Sequence, residues 1–205
     1  MKIAVARYPV GAPADFAGFA ARISALLEKA AQEGARIAVL PEYLSLELAY
    51  GLGPAVHRDL AASLAATQVF RVAWMGLFSA LARRLDMHIV AGSFLLEHRP
   101  GRYYNRCDVF TADGRALWQD KLELTSFEYL TEQIDQGQTL HAFDIDGIAA
   151  GVAICCDSEQ ADSVRAQALA GVRLLLVPSS TDTVLGAARV RAHCMARAGE
   201  NALVV

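Results

Sequence analysis

Three features of the sequence predict an α/β fold. Short apolar runs alternate with longer segments whose apolar residues recur every three or four positions. Several of the short runs lack polar alternation, as strands buried on both faces do. Two Asp-Gly pairs, Asp113-Gly114 and Asp146-Gly147, stand between apolar runs and mark tight turns.

The elements are these, in order. Residues 2–6 read as a first strand. A helix is expected over 15–33, where Phe16, Phe19, Ala20, Ile23, Leu26, Leu27 and Ala30 share one face and Gly34 ends the run. Residues 36–40 are apolar enough for a central strand, stopped by Pro41-Glu42. A second long helix fits 68–85, with Phe70, Ala73, Trp74, Leu77, Phe78 and Leu81 as its stripe. Residues 88–94 read as one strand, and 103–110 with 116–119 as a hairpin. A second hairpin spans 140–155. A helix over 161–170, a strand over 174–177, a helix over 185–199 and a strand starting at 202 complete the pattern.

Composition narrows the function classes. The 205 residues, 54% hydrophobic and 20% charged, suffice for one domain with a sizeable core and argue against disorder. The 19 basic and 22 acidic side chains give a net charge of −3. With no basic cluster beyond Arg83-Arg84, there is no electrostatic footprint for nucleic acid. No apolar run approaches the roughly 20 residues that span a bilayer, so no membrane partner is expected. An apolar stretch of only four residues, 3–6, precedes Arg7, too short for a signal-peptide core, and the expectation is a cytoplasmic protein. Cys107, Cys155, Cys156 and Cys194 lack the spacing of a disulfide framework or redox motif and read as reduced thiols.

Three sites place a reactive side chain where a buried strand runs out. Glu42 follows AVLP, and a carboxylate losing hydration there rises toward the range of a general base; capping the next segment is the other reading. Lys121, in WQDKLELTSFE, can supply positive charge to an oxyanion or be a solvated strand-end lysine. Glu128, seven residues on, can orient Lys121 or a substrate, or lie exposed in a loop. Cys155, in GVAICCDSEQ, sits before a helix whose N-terminal amides favour a thiolate; packing as a small hydrophobe is equally open. Together the three are more informative: a thiol is mostly protonated at neutral pH and needs a base, and a tetrahedral intermediate needs fixed donors.

The motifs LPE at 40–42, DKLEL at 120–124 and ICCD at 154–157 resemble those of the nitrilase superfamily of carbon–nitrogen hydrolases. AGS at 91–93, YN at 104–105, TADGR at 111–115, VPSS at 177–180 and RAGEN at 197–201 extend the resemblance in order along the chain. It implies an αββα sandwich, with Cys155 as nucleophile, Glu42 as general base and acid, and Lys121 as oxyanion stabiliser. Glu128 sits where many members have a second supporting glutamate. Cys156 replaces a usual aromatic residue, and its N–H would complete the oxyanion hole. Glu123 stands where histidine is common, and Gln160-Ala161-Asp162 where an aromatic–Pro–Glu is usual. The implied activity is hydrolysis of a small amide or carbamoyl compound, less so a nitrile, with no metal or organic cofactor. The implied assembly is a homodimer or larger, and the small residues of the helix over 185–199 allow close approach of a second copy. Family members continue past the RAGEN helix with further strands and a tail, whereas this chain ends four residues beyond Asn201, so a single domain lacking them is expected over 1–205.

Other readings are a non-catalytic homologue serving as a dimerising or regulatory scaffold, a Cys–His hydrolase and a metal site. None of the five histidines sits in a G-x-C-x-G-like or other paired setting, and the glycines of a nucleophile elbow are missing around Cys155. Cys155, Cys156, Asp157 and Glu159 make a poor metal set, since adjacent strand residues face opposite ways. Substrate choice rests on segments 43–60 and 122–138, where Tyr43, Phe127, Tyr129 and Leu130 suggest an apolar wall and Arg58 or Arg106 a partner for a carboxylate.

Overall fold

A computed structural model describes residues 1–205. Strands β1 (Ile3–Val5), β2 (Ile37–Val39) and β3 (His88–Val90) pair in parallel. Helix α1 (Phe16–Gln32) makes the first crossover. The second runs through a 3-10 helix (Leu44–Leu52) and helices α2 (Pro54–His57), α3 (Leu60–Thr67) and α4 (Arg71–Leu85). The long strand β5 (Arg102–Phe110) pairs antiparallel with β3, with β4 (Phe94–Arg99) and with β6 (Ala116–Asp120). Helix α5 (Ser126–Leu130) leads to the short strand β7 (Ile134–Asp135), also on β5. A second sheet of three strands has the order β10-β9-β8, from β8 (Ala142–Ile145), β9 (Ile148–Val152) and β10 (Leu174–Leu176). Helices α6 (Ala161–Leu169) and α7 (Val184–Asn201) complete the chain.

Strand periodicity explains the layering. Ala38, Leu40, Ile89 and Phe110 face α1 and α4, whose Phe19, Ile23, Leu27, Trp74 and Phe78 close one core. Their neighbours Ile37, Val39, Val90 and Val109 face the other way, onto Phe143, Ile145, Ala150, Val152 and Leu174 of the second sheet. Val164 of α6 covers the far side of that sheet through Ala153 and Leu175. The result is the expected α–β–β–α sandwich. At the end of the sandwich away from the strand C-termini, His88 Nε2 donates to Asp146 Oδ1 at 2.9 Å and Arg36 Nη2 to Asp146 Oδ2 at 3.0 Å, tying the β8–β9 turn to the first sheet.

Four expectations change. The second helix starts earlier: Leu60–Leu85 is a nearly continuous helical rod of 26 residues. That length and composition meet those of a membrane-crossing helix, although no unbroken apolar run signals it; here Trp74, Phe78 and Leu81 pack on the sheet. The expected strand over 88–94 is two strands, broken at Ala91-Gly92-Ser93. The second hairpin is shorter than 140–155: β9 ends at Val152, and Cys155 opens a separate 3-10 turn, Cys155–Glu159. The terminal strand is reduced to a single bridge between Val204 and Leu174.

The break at Gly92 bears on the site. Gly92 has φ +68°, and a Cβ there would lie 2.0 Å from Pro41 O. Its close approach lets Ser93 Oγ accept Tyr43 N–H at 2.8 Å, and so places Glu42. Gly92→Ala should therefore destabilise by about 3 kcal/mol, from left-handed strain plus a backbone clash. A thermal melt checks it, with a fall of order 10 °C expected.

Candidate active site

Three strand ends and the first turn of α5 converge on one rim of the sandwich, where open α/β sheets bind ligands. Pro41 stops β2 and Tyr43, at φ +61°, turns the chain into the 3-10 helix, leaving Glu42 at the rim. Lys121 directly follows β6. Glu128 lies in the first turn of α5, held by a capping box: Thr125 Oγ1 accepts Glu128 N–H at 3.2 Å and Glu128 Oε2 accepts Thr125 N–H at 2.9 Å. Cys155 begins the 3-10 turn at φ +51°, a left-handed conformation uncommon for a non-glycine residue, and its N–H donates to Pro178 O at 2.9 Å.

Lys121 Nζ donates to Glu42 Oε1 at 2.8 Å and to Glu128 Oε2 at 2.7 Å, and all three side chains are at most 1% exposed. The face of Tyr43 lies 5.7 Å from the ammonium. Glu42 Oε2 accepts Ser180 N–H at 3.2 Å, while the Cys155 thiol donates to Ser180 O at 3.7 Å. Glu42 and Cys155 thus meet at Ser180, close enough for each to perturb the other's titration. Residues 42, 121, 128 and 155, far apart in sequence, are thus brought together. Glu128 is fully buried, so the exposed-loop reading of it does not hold.

Electrostatics sets the resting protonation. Burial raises the Glu42 carboxyl above its ordinary range, with Lys121 opposing. Burial also acts to raise Glu128, but the Lys121 charge and hydrogen bond outweigh it and the group ends below its ordinary value. Lys121 would be lowered by burial, yet the two glutamates hold it firmly protonated. Burial, then the Glu42 charge, pushes the Cys155 thiol up to about 12. The expectation that helix amides favour a standing thiolate is therefore overturned. Cys155 opens a short 3-10 turn rather than an α-helix, and desolvation dominates there.

Cys156 points its thiol elsewhere, donating to Glu123 O at 2.9 Å. Its neighbours' amides are used within the fold, Cys155 N–H on Pro178 O and Asp157 N–H on Ile154 O, whereas the Cys156 N–H has no such partner. Three residues of the site have no role in the sequence reading although their motifs stand out there: Asn105, Asp157 and Ser180. Asp157 Oδ1 accepts Leu122 N–H at 3.1 Å and Glu123 N–H at 2.7 Å, and its Oδ2 accepts Ile154 N–H at 2.9 Å. It thereby fastens the cysteine turn to the segment after Lys121.

The cleft has two lobes that share Glu42, Tyr43, Ser180 and Thr181. A lobe of about 580 Å³ holds Cys155, Cys156 and Phe127. A wider one of about 840 Å³ carries Arg7, Tyr8, His57 and Arg58. Tyr129 and Leu130 line neither lobe, and Arg106 is occupied by Asp120 through two bonds of 2.7 Å. Of the side chains expected to shape the pocket, Tyr43, Phe127 and Arg58 do so.

The chain is similar to known proteins over nearly its whole length. It is 29% identical over 203 residues to the probable hydrolase YhcX of Bacillus subtilis, covering 98% of this chain and 38% of that protein. It is 28% identical over 194 residues to the omega-amidase NIT2 of Danio rerio, covering 90% of this chain and 65% of the relative. It thus spans less than two thirds of the length of either. Among solved structures, a carbon-nitrogen hydrolase from Helicobacter pylori superposes with a TM-score of 0.77 at 19% identity, over 99% of this chain and 70% of that one. Saccharomyces cerevisiae Nit3, a member of branch 10 of the nitrilase superfamily, gives 0.78 at 21% identity, over 99% and 73%. Both share the fold. The carbon-nitrogen hydrolase family model matches residues 2–204, and by that match the chain belongs to the carbon-nitrogen hydrolase family.

Proposed function

We propose that the chain hydrolyses the C–N bond of a small amide or carbamoyl compound through a thioester on Cys155. The observation that carries this is the buried Lys121 ammonium held between Glu42 and Glu128, with Glu42 and the Cys155 thiol both hydrogen-bonded to Ser180 at the cleft. The family and the omega-amidase relatives support the same reading.

Glu42 takes the thiol proton as Sγ attacks the carbonyl carbon. Lys121 uses two of its three N–H donors on the glutamates; the third, with the Cys156 N–H, is assigned to the oxyanion. One such donor is typically worth about 3 kcal/mol of barrier. The C–N bond then breaks, and Glu42 returns the proton to the departing ammonia or amine. A water deprotonated by Glu42 attacks the thioester, releasing the acid and restoring the thiol. A base in this position contributes on the order of a hundred- to ten-thousand-fold.

The wider lobe narrows the substrate. Arg7 and Arg58 line it, and neither has a carboxylate partner within the protein. This supports an amide whose far end is anionic. Ammonia release from paired amides, with and without a terminal carboxylate, tests the proposal. Turnover should be confined to amides or carbamoyl compounds, and Arg58→Gln should raise KM for the anionic member about tenfold while leaving the neutral one alone. No ammonia from any amide, carbamoyl compound or nitrile would favour the scaffold reading.

A further inference from the structure

Asn105, in the middle of β5, is completely buried and lines neither lobe of the cleft. Its Nδ2 donates to Glu42 Oε1 at 2.9 Å and to Glu128 Oε1 at 2.9 Å. Its main-chain carbonyl accepts the N–H of Lys121 at 2.9 Å. One residue thus bonds both carboxylates of the buried cluster and the backbone of the lysine between them. Its Oδ1, also buried, has no partner.

That unpaired oxygen identifies what orients the amide. Rotating the group by half a turn would aim Oδ1 at two carboxylates and withdraw both donors from them. The orientation is set by the glutamates, and an unpaired buried acceptor is tolerated as a consequence. Charge makes the need clear: two carboxylates share one ammonium, so with both ionised the almost wholly buried cluster carries an excess negative charge. Two N–H dipoles placed between the carboxylates offset their repulsion.

We propose that Asn105 is a positioning residue that keeps Glu42 and Glu128 on either side of Lys121 and holds Glu42 in its charged, proton-accepting form. It acts through Glu42 and touches neither substrate nor the sulfur. This rests on the reading of Glu42 as the base for Cys155. The charged or titratable groups around Glu42 are Lys121 from the end of β6, Glu128 from α5, the adjacent Tyr43 and Cys155 from the turn after β9. Asn105 is the neutral donor among them.

The test reads the base directly. Iodoacetamide alkylates Cys155 as its S–H proton passes to Glu42 and iodide leaves, so the rate against pH follows the carboxylate. Mass spectrometry assigns the adduct to Cys155 rather than Cys156. In Asn105→Leu, which removes both donors at similar size, the acid limb should move up by about one pH unit, a loss approaching tenfold below the native midpoint and largely recovered well above it. In Asn105→Asp, isosteric but adding a third carboxylate, the limb should move further. A uniform loss across pH, an unmoved limb, or the reverse ranking of the two variants would overturn the inference. If neither variant folds, the native protein decides. Labelled with ¹⁵N, one asparagine side-chain amide should shift with the same midpoint as the alkylation limb, and absence of such a signal rejects the coupling. The underlying function fails separately, if the native protein alkylates with this profile yet releases no ammonia from any amide.

Discussion

Cys155→Ala should abolish ammonia release, by on the order of 10⁴-fold or more, while leaving a folded protein. In the proposed mechanism the sulfur forms the thioester, and no neighbouring group replaces it: Cys156 directs its thiol to Glu123 O. The structural cost is small because only one buried sulfur is lost, about 1 kcal/mol, a few degrees at most in a melt. Mass spectrometry of the native protein quenched during turnover should show the acyl adduct on Cys155 and the variant none. The native pH profile is set by the same site. With the thiol pushed up to about 12, the proposed mechanism assigns the acid limb to Glu42, which must be charged to take the proton. Burial raises that carboxyl, so activity should be absent at low pH and appear as pH climbs through a midpoint above the ordinary glutamate value of about 4.3. Retention of full turnover by Cys155→Ala would remove the thioester from the mechanism.

Lys121→Met should be the most destabilising change at the site. The substitution preserves much of the aliphatic stem but leaves Glu42 and Glu128 buried without their ammonium. Breaking a buried pair in this way costs about 3–5 kcal/mol, a drop in melting temperature of order 10 °C for a chain of this size. The sign of its pH dependence is fixed by the glutamates. In the native protein Glu128 lies below its ordinary value, so its contribution is present above the unfolded-state pKa and is lost as pH falls through the folded-state value. Without Lys121 both glutamates are raised, and each costs stability as pH rises through its folded-state pKa. The gap between native protein and variant should therefore be wide at pH 8 and narrow toward pH 4–5, as melts at the two pH values would show. An equal gap at both would mean that Lys121 contributes through packing alone.

Much of the architecture is legible locally. The α1 stripe of Phe19, Ile23 and Leu27 is buried as its spacing predicts, and Asp15 caps the helix by accepting Gly18 N–H at 2.7 Å. Asp146 and Gly147, at φ +51° and +80°, form the tight turn that their identities signal. The break between β3 and β4 escapes notice because Ile89, Val90, Ala91 and Phe94 read as one apolar run across Gly92-Ser93. What forces glycine there is the carbonyl of Pro41, some fifty residues earlier.

The amino-acid order alone determined the alternation of strands and helices, the two Asp-Gly hairpins and, through its motifs, the family and the positions of the glutamate, lysine and cysteine. These are properties of residue spacing and local backbone preference. The tertiary structure decided what surrounds each group: the burial of Glu128, the bridge made by Asn105, the protonated thiol, and which arginines are free. Solvation and hydrogen bonding depend on the atoms packed against a side chain, and here those atoms come from strands and turns up to 138 positions away, as Ser180 does for Glu42.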